Sequence, residues 1–209
     1  MKKILTAIVL CLSLMLTACS GSRTPDVKVD GNNITLSNTG AVVSFPEGWT
    51  ILTGNEMYKD ILKASDGDDL QKMIEEYEAD GLYYLTSAYS MSDATFVTVA
   101  AQDMSPANGD ERVELADYAR TVHDSTIFDF LASGYKTGDD SSFGEAQYGE
   151  KKGYLSHFEL FSGETDDFIF GFTEFYFEHE INVYTVQICY YKQDSATVAD
   201  KLLTNIKAS

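Results

Sequence analysis

The 209-residue sequence predicts an α+β fold with a central antiparallel β-sheet of about six strands, preceded by a cleaved signal peptide. Three long runs of β-branched and aromatic residues fill the last third of the chain. Short polar turns separate these runs, which is typical of antiparallel hairpins. Amphipathic helical patterns lie between and after the strand-like segments. Residues 1–18 combine a basic start, a short apolar run and a small-residue exit, which indicates a secretory signal.

The leader ends in a motif that predicts lipid attachment. Its apolar run, residues 4–16, is too short for a membrane-spanning helix, which needs about 20 residues. Leu16-Thr17-Ala18-Cys19 resembles the lipobox of bacterial lipoprotein signal peptides. The resemblance implies cleavage after residue 18, acylation of Cys19 with chains such as palmitate, and a lipidated tether over residues 19–25. We expect a membrane-anchored protein of the bacterial cell envelope that faces outside the cytoplasm. The alternative is an ordinary secretory signal in which Cys19 has no role.

Residues 26–209 are expected to form one domain. Two helical patterns fall between residues 55 and 77. A longer helix is predicted from about Glu111 to Gly134, with a kink or a second cap at residues 123–126, where the apolar phase is lost. A closing helix is predicted from the stripe over residues 198–206. The strand-like runs cover residues 33–36, 41–45, 82–89, 95–101, 153–161, 168–178 and 181–191.

The charge of the chain excludes some partners. There are 15 Lys and Arg residues against 33 Asp and Glu, a net charge of −18. Loss of Lys2 and Lys3 with the leader leaves 13 basic residues against 33 acidic ones, or −20. A charge of this sign repels nucleic-acid phosphates and anionic lipid headgroups. We therefore expect no nucleic-acid binding and a membrane contact made by the lipid anchor. The charge either keeps the domain soluble or selects a basic protein partner.

One cysteine remains in the body after Cys11 leaves with the leader and Cys19 is lipidated. Cys189 lies in an apolar, strand-like run, where a cysteine usually behaves as a small buried hydrophobe. A catalytic thiol needs a histidine or an electropositive pocket, and the neighbouring sequence has neither. We predict a structural role for Cys189.

No catalytic, metal-binding or cofactor-binding motif is found. The segment Ser133–Gly138 matches both S-x-x-K and K-T-G, but those motifs need two different lysines, and Lys136 would serve both. Asp66–Asp69 suggests a calcium loop, but the twelfth position is Tyr77 instead of glutamate. Three histidines lack the spacing of metal ligands: His123, His157 and His179.

Two segments indicate a fold family. Val43-Ser-Phe-Pro-Glu-Gly-Trp49 is similar to the pattern that opens PsbP-like domains, a hydrophobic residue followed by x-(F/Y)-P-x-G-W. The pattern over Ala199–Lys207 resembles the helix that closes them. The resemblance implies an antiparallel sheet with helices on both faces over residues 26–209. It also implies that the protein is not an enzyme, since members mostly bind other proteins or stabilise assemblies.

Three functions are compatible with the sequence. The first is a lipid-anchored, non-catalytic binding or assembly module whose partner is another extracytoplasmic protein. The second is a small-ligand or sugar receptor that uses exposed aromatic residues. The third is a hydrolase built on paired carboxylates, which a deep pocket with two or more partly buried acids would favour. The receptor's candidate aromatic residues are Tyr83, Tyr84, Tyr190 and Tyr191.

Overall fold

The computed structural model describes residues 25–37, 39–53, 72, 75–106 and 112–208. Residues 75–79 are helical, in agreement with the end of the second predicted helical pattern. The signal peptide, Cys19 and Asp66–Asp69 lie outside the described residues, as does most of the segment predicted to be helical before residue 75.

The regular elements are named here in chain order. The strands are β1 (Val27–Asp30), β2 (Asn33–Leu36), β3 (Ala41–Ser44), β4 (Thr50–Thr53), β5 (Leu82–Ser90), β6 (Thr95–Asp103), β7 (Tyr135–Thr137), β8 (Ser142–Tyr148), β9 (Lys151–Ser162), β10 (Phe168–His179), β11 (Asn182–Tyr190) and β12 (Ile206–Ala208). The longer helices are α1 (Leu115–Ala132) and α2 (Ala196–Thr204).

The strands form two antiparallel sheets. The large sheet has eight strands in the order β4-β5-β6-β11-β10-β9-β7, with β8 also paired to β9. The small sheet has four strands in the order β1-β2-β3-β12. The prediction of one sheet with about six strands is therefore wrong. The strands β1, β4, β7, β8 and β12 carry no long apolar run, so they become recognisable only through the strands with which they pair.

The two faces of the large sheet are covered by different layers. Because side chains alternate along a strand, Tyr176 and Phe175 of β10 point to opposite faces. Tyr176 packs in a cluster with Ala119 and Val122 of α1. Phe175 packs in a cluster with Leu202 of α2 and with the buried residues of the small sheet. Helices therefore lie on both faces, and the small sheet shares the α2 face.

The aromatic residues of the V-x-F-P-x-G-W segment lie in the core beside the small sheet. Phe45 and Trp49 are buried, and their ring centroids are 5.3 Å apart. Pro46 and Gly48 end β3 and turn the chain, and Gly48 has φ of +89°, a backbone conformation that favours glycine. The segment therefore carries the chain from the small sheet to the large one.

Helix α1 has no second cap at residues 123–126, where a kink or a second cap was predicted. It runs through residues 123–126 without interruption. His123 and Thr126 are buried within it, and His123 Nδ1 lies 2.8 Å from Ser156 Oγ of β9. The apolar phase is lost at His123 because Ser156 of β9 gives this polar residue a hydrogen-bond partner on the inner face.

The closing helix is shorter than predicted. Helix α2 ends at Thr204, and Asn205 forms its C-cap. Ile206 leaves the helix and pairs with Val43 in the small sheet. Ile206 is still buried, which explains why it continued the apolar stripe in the sequence. No helix in the described ranges is both long enough and apolar enough to cross a bilayer.

A glycine in β10 leaves space for a buried tyrosine, which yields a prediction. A Cβ atom added at Gly171 would lie 1.8 Å from Cζ of Tyr190, a ring that is fully buried. We expect Gly171→Ala to lower the free energy of unfolding by about 1–3 kcal/mol or more, because the Tyr190 ring has to move within a packed core. Urea unfolding measures the change.

Gly144→Ala in β8 is the matched control, because no atom lies within 4 Å of the added Cβ. Its unfolding midpoint should stay close to that of the wild type. Equal midpoints for the two variants would show that Tyr190 is not packed against Gly171.

Candidate functional site

A row of buried polar side chains crosses the large sheet. The strand register places Ser156, Glu174, Gln187, Thr98 and Ser87 next to one another on β9, β10, β11, β6 and β5. Each is at most 5 % exposed. Paired residues of neighbouring antiparallel strands share a face. The five side chains therefore form one polar row, on the face that α1 covers.

Glu174 lies next to Ser156 in this row and accepts hydrogen bonds from neutral donors. The Tyr176 hydroxyl donates a hydrogen bond to Glu174 Oε2. Gln187 Nε2 donates to Glu174 Oε1 at 2.9 Å. No cation among the described residues forms an ion pair with this carboxyl group. Two hydrogen bonds therefore replace the solvent, but no opposite charge compensates the carboxylate.

Burial controls the protonation of Glu174. It raises the pKa of the carboxyl group to about 7, while the hydrogen bonds from Gln187 and Tyr176 oppose the rise. Burial and the nearby Glu174 also raise the pKa of Tyr118 and of Tyr176. The Tyr118 and Tyr176 rings pack edge to face, with centroids 6.2 Å apart. Of Glu174, Tyr118 and Tyr176, Glu174 is therefore the group that changes its protonation near neutral pH.

His123 and Ser156 form a hydrogen-bonded pair at the end of the same row. Burial lowers the pKa of His123, so the neutral imidazole is favoured. The pair has the residue types of a nucleophile and its base, but Ser156 is fully buried between β9 and α1. A nucleophilic serine has to be reached by its substrate. The pair therefore holds α1 on the sheet and does not offer a hydrolytic centre.

At the opposite end of the row, a buried polar group lacks a hydrogen-bond partner among the described residues. Ser87 Oγ is buried and has no hydrogen-bond partner among the residues that the structure describes. A buried hydroxyl without a partner costs about 1–3 kcal/mol. The favourable hydrogen bonds of the row are therefore concentrated at its Glu174 end, beneath α1.

A surface groove lies between the start of α1 and strands β8 and β9. Its volume is about 600 Å³. Among its lining residues it has one acid, the exposed Glu145. The half-buried Tyr154 stacks on Phe143, with centroids 5.7 Å apart. The groove is lined by Leu115, Glu145, Ala146, Gln147, Lys152, Gly153 and Tyr154. In the described residues, the groove therefore lacks the two partly buried acids that would favour a hydrolase.

The aromatic residues proposed for sugar binding do not form one surface. Tyr84 and Tyr190 are buried, and Tyr83 and Tyr191 are partly buried. Tyr190 belongs to the core cluster on the α2 face, whereas Tyr84 belongs to the cluster on the α1 face. The four tyrosines proposed from the sequence therefore do not lie together on one exposed surface that could bind a sugar.

The remaining candidate residues make contacts that are typical of structural roles. Lys136 Nζ forms an ion pair with Asp166 at 2.6 Å, on the surface. Cys189 is buried in an aromatic cluster with Phe130 and Phe158. His157 Nδ1 lies 2.9 Å from the Thr173 hydroxyl. Within the described part of the chain, no group of three or more histidine, cysteine or acidic residues is placed to hold a metal ion.

The outer face of α1 carries an exposed stripe. Asp117, Thr121, Asp124, Phe128 and Leu131 are all exposed and follow a 4-3-4-3 spacing. At 3.6 residues per turn, these positions fall within about 80° of arc. Phe128 is 68 % exposed and Leu131 is 48 % exposed. The stripe is therefore acidic over its first part and apolar at its end.

Sequence analysis did not identify Glu174 or the α1 stripe. Glu174 is the central charge in the aromatic run Phe168–Phe177, and a charge at the middle of such a run was a usable signal. The exposure of Leu131 had no signal in the sequence, because the apolar spacing of Ile127, Phe130 and Leu131 predicts that all three face inward.

Comparison with known proteins identifies the fold. No protein-family model matches the chain. No curated protein matches it either. Among solved structures, the chain is similar to the solution structure of cyanobacterial PsbP (CyanoP) from Synechocystis sp. PCC 6803, with a TM-score of 0.53 and 12 % identity. The match covers 93 % of this chain and 99 % of the cyanobacterial chain. The fold is therefore PsbP-like, as the Val43–Trp49 motif implies.

The buried carboxyl group predicts a pH-dependent stability. A glutamate in the unfolded chain titrates near 4.5 and Glu174 in the folded chain near 7, so the folded protein binds more protons between these values. The free energy of unfolding should therefore fall as the pH rises through this window, by about 3 kcal/mol in total. Glu174→Gln should remove this contribution, which urea unfolding at pH 5 and pH 8 measures.

The comparison of the pH dependence of unfolding in the wild type and in Glu174→Gln isolates the contribution of Glu174. The wild type alone would not, because His123 changes the free energy of unfolding with pH in the opposite direction. The lowered pKa of His123 makes its contribution decrease as the pH falls below 6.5. Glu145→Gln, on the same sheet face but exposed, should keep the wild-type pH slope. An unchanged slope in Glu174→Gln would show that the carboxyl group is not buried in its neutral form.

Proposed function

We propose that this chain is a bacterial lipoprotein whose folded body is a non-catalytic binding or assembly module outside the cytoplasm. The observation that carries the proposal is Leu16-Thr17-Ala18-Cys19, placed directly after a short apolar run with a basic start. After removal of residues 1–18, lipid on Cys19 holds the protein in the membrane. A firm anchor needs two or more acyl chains, because one chain binds only weakly.

The properties of the body support binding over catalysis. Its fold is similar to that of a cyanobacterial PsbP. The chemically suggestive groups, Glu174 and the pair of His123 with Ser156, are buried in the polar row under α1. The groove at the start of α1 is lined by one acid, Glu145, where a carboxylate hydrolase would need two. The outer surface is therefore the part of the molecule that is available to a partner.

Charge indicates the kind of partner. The mature chain carries 13 basic residues against 33 acidic ones. We expect a partner protein with basic groups, no nucleic acid, and no attraction of the body to anionic lipids.

A small-ligand function is the second candidate, and the groove favours it. A volume of about 600 Å³ falls within the range of small-molecule sites. Tyr154 offers an aromatic surface, and Glu145 and Lys152 provide charges of opposite sign. Native mass spectrometry of protein purified from its own envelope separates the candidates, since a bound small molecule would favour the receptor.

The lipid anchor yields a direct prediction. Cys19→Ala should abolish incorporation of a clickable fatty acid and leave the precursor unprocessed or the protein free of the membrane, because the acceptor thiol is lost. Cys11→Ala is the matched control, since it removes a cysteine from the same leader without changing the lipobox. In-gel fluorescence after metabolic labelling measures the result. Equal labelling of the Cys19 variant would refute the lipoprotein assignment.

A further inference from the structure

The inference concerns the α1 stripe, which is defined by Asp117, Thr121, Asp124, Phe128 and Leu131. Large apolar side chains on the surface of a monomer indicate an interaction site when they are adjacent. Phe128 and Leu131 are neighbours one helical turn apart, and both are exposed. The sheet side of α1 is already occupied by Ala119, Val122 and Phe130, so the stripe is a second, separate face.

The residue spacing of the stripe is suited to packing against another helix. Alternating steps of four and three residues are those that let one helix follow another along a coiled-coil seam. The stripe spans 14 residue steps from Asp117 to Leu131, or about 21 Å of helix. A partner helix of about four turns would therefore cover it.

The charge distribution selects the chemistry of that partner. Helix α1 contains Asp117, Asp124 and Asp129 against one cation, Arg120. Arg120 is engaged by the sheet, with its guanidinium carbon 4.5 Å from the centroid of the Phe143 ring. The acids of the stripe are thus left for cations of the partner. A matching surface carries apolar side chains opposite Phe128 and Leu131 and lysine or arginine side chains opposite Asp117 and Asp124.

A second copy of this chain does not fit. Parallel α1 helices would place acid against acid, and fully overlapped antiparallel helices would place Leu131 against Asp117 and Asp124 against its own copy. Two bodies of net charge −20 also repel each other. A membrane surface fits no better, because its anionic headgroups would meet the same acids.

We infer that the α1 stripe is the docking site for a basic amphipathic helix of another protein in the cell envelope. The inference rests on the proposed function, which places the protein in the cell envelope. It adds the class of partner that the binding module recognises. Apolar contact at Phe128 and Leu131 provides the anchor, as in other complexes in which an amphipathic helix lies on an apolar surface. The acids set the orientation and speed the encounter.

Site-specific photocrosslinking in the producing cells tests the inference with the full chain. A p-benzoylphenylalanine at position 128 should crosslink to a protein segment that mass spectrometry identifies as helical in pattern and rich in lysine or arginine. The same group at position 91 is the control, because Met91 is 83 % exposed and belongs to the turn between β5 and β6, outside α1. It should not give this adduct.

Charge reversal tests the acids. Asp117→Lys with Asp124→Lys should reduce the yield of the adduct at position 128 by at least fivefold. Asp139→Lys with Asp140→Lys changes the net charge equally at exposed positions outside the stripe and should leave the yield unchanged. Thermal unfolding should be similar for both double variants, because all four residues are exposed.

The outcomes separate this inference from the proposed function. An adduct to the chain itself, to lipid or to an acidic segment, equal yields in the two double variants, or no adduct at position 128 would overturn the docking site. Membrane fractionation of the same cells reports on the anchor independently. Anchored protein without the adduct refutes the docking site alone, whereas cytoplasmic protein refutes the anchored module.

Discussion

The fold depends on how a polar row is accommodated inside a hydrophobic sheet. Glu174 lies at the centre of a sheet face, with no cation among the described residues to compensate it. Tyr176 and Gln187 satisfy its oxygens, and His123 from α1 satisfies Ser156 beside it. A half-satisfied row would be more costly than an apolar one, because buried polar groups without partners lose their hydration. The position of α1 is therefore fixed by hydrogen bonding as well as by packing.

The two faces of the large sheet achieve burial by different means. On the α2 face, the small sheet and α2 cover an aromatic and aliphatic cluster that includes Phe175, Phe177 and Tyr190. On the α1 face, α1 lies over an aromatic cluster with Phe130 and Phe158 and over the Ser156–Glu174 end of the polar row, while Tyr77 packs near β5. The α2 face gains stability mainly from the burial of apolar area. The α1 face combines this burial with groups that respond to pH.

Helix α1 connects the interior of the molecule with its proposed function. Its inner face holds His123 and Phe130 against the sheet, and its outer face presents the acidic and apolar stripe. A partner helix on the stripe would bind to an element that the sheet already holds in one orientation. Preorganisation of this kind lowers the entropic cost of association.

The sequence by itself determined the long elements and the expected lipid anchor. The runs that became β5, β6, β9, β10 and β11 are long, apolar and bounded by polar turns, so their strand character depends on local pattern. The Val43–Trp49 motif indicated the PsbP-like fold, which the structural comparison supports. Lipidation signals are linear motifs, so the proposal for Leu16–Cys19 needs no tertiary structure.

Only the tertiary structure decided the two-sheet arrangement, the polar row and the outer face of α1. Strands β7 and β8 exist because β9 is long enough to pair with both, which no local pattern records. The polar row joins five strands that are distant in sequence, and a sequence without an assigned register cannot align them. The loss of apolar phase at His123 predicted a kink or a second cap, because the sequence does not show that Ser156 lies opposite His123. Burial depends on what lies across the interface, so the apolar pattern that correctly placed Phe130 inward also placed Leu131 inward, although Leu131 is 48 % exposed.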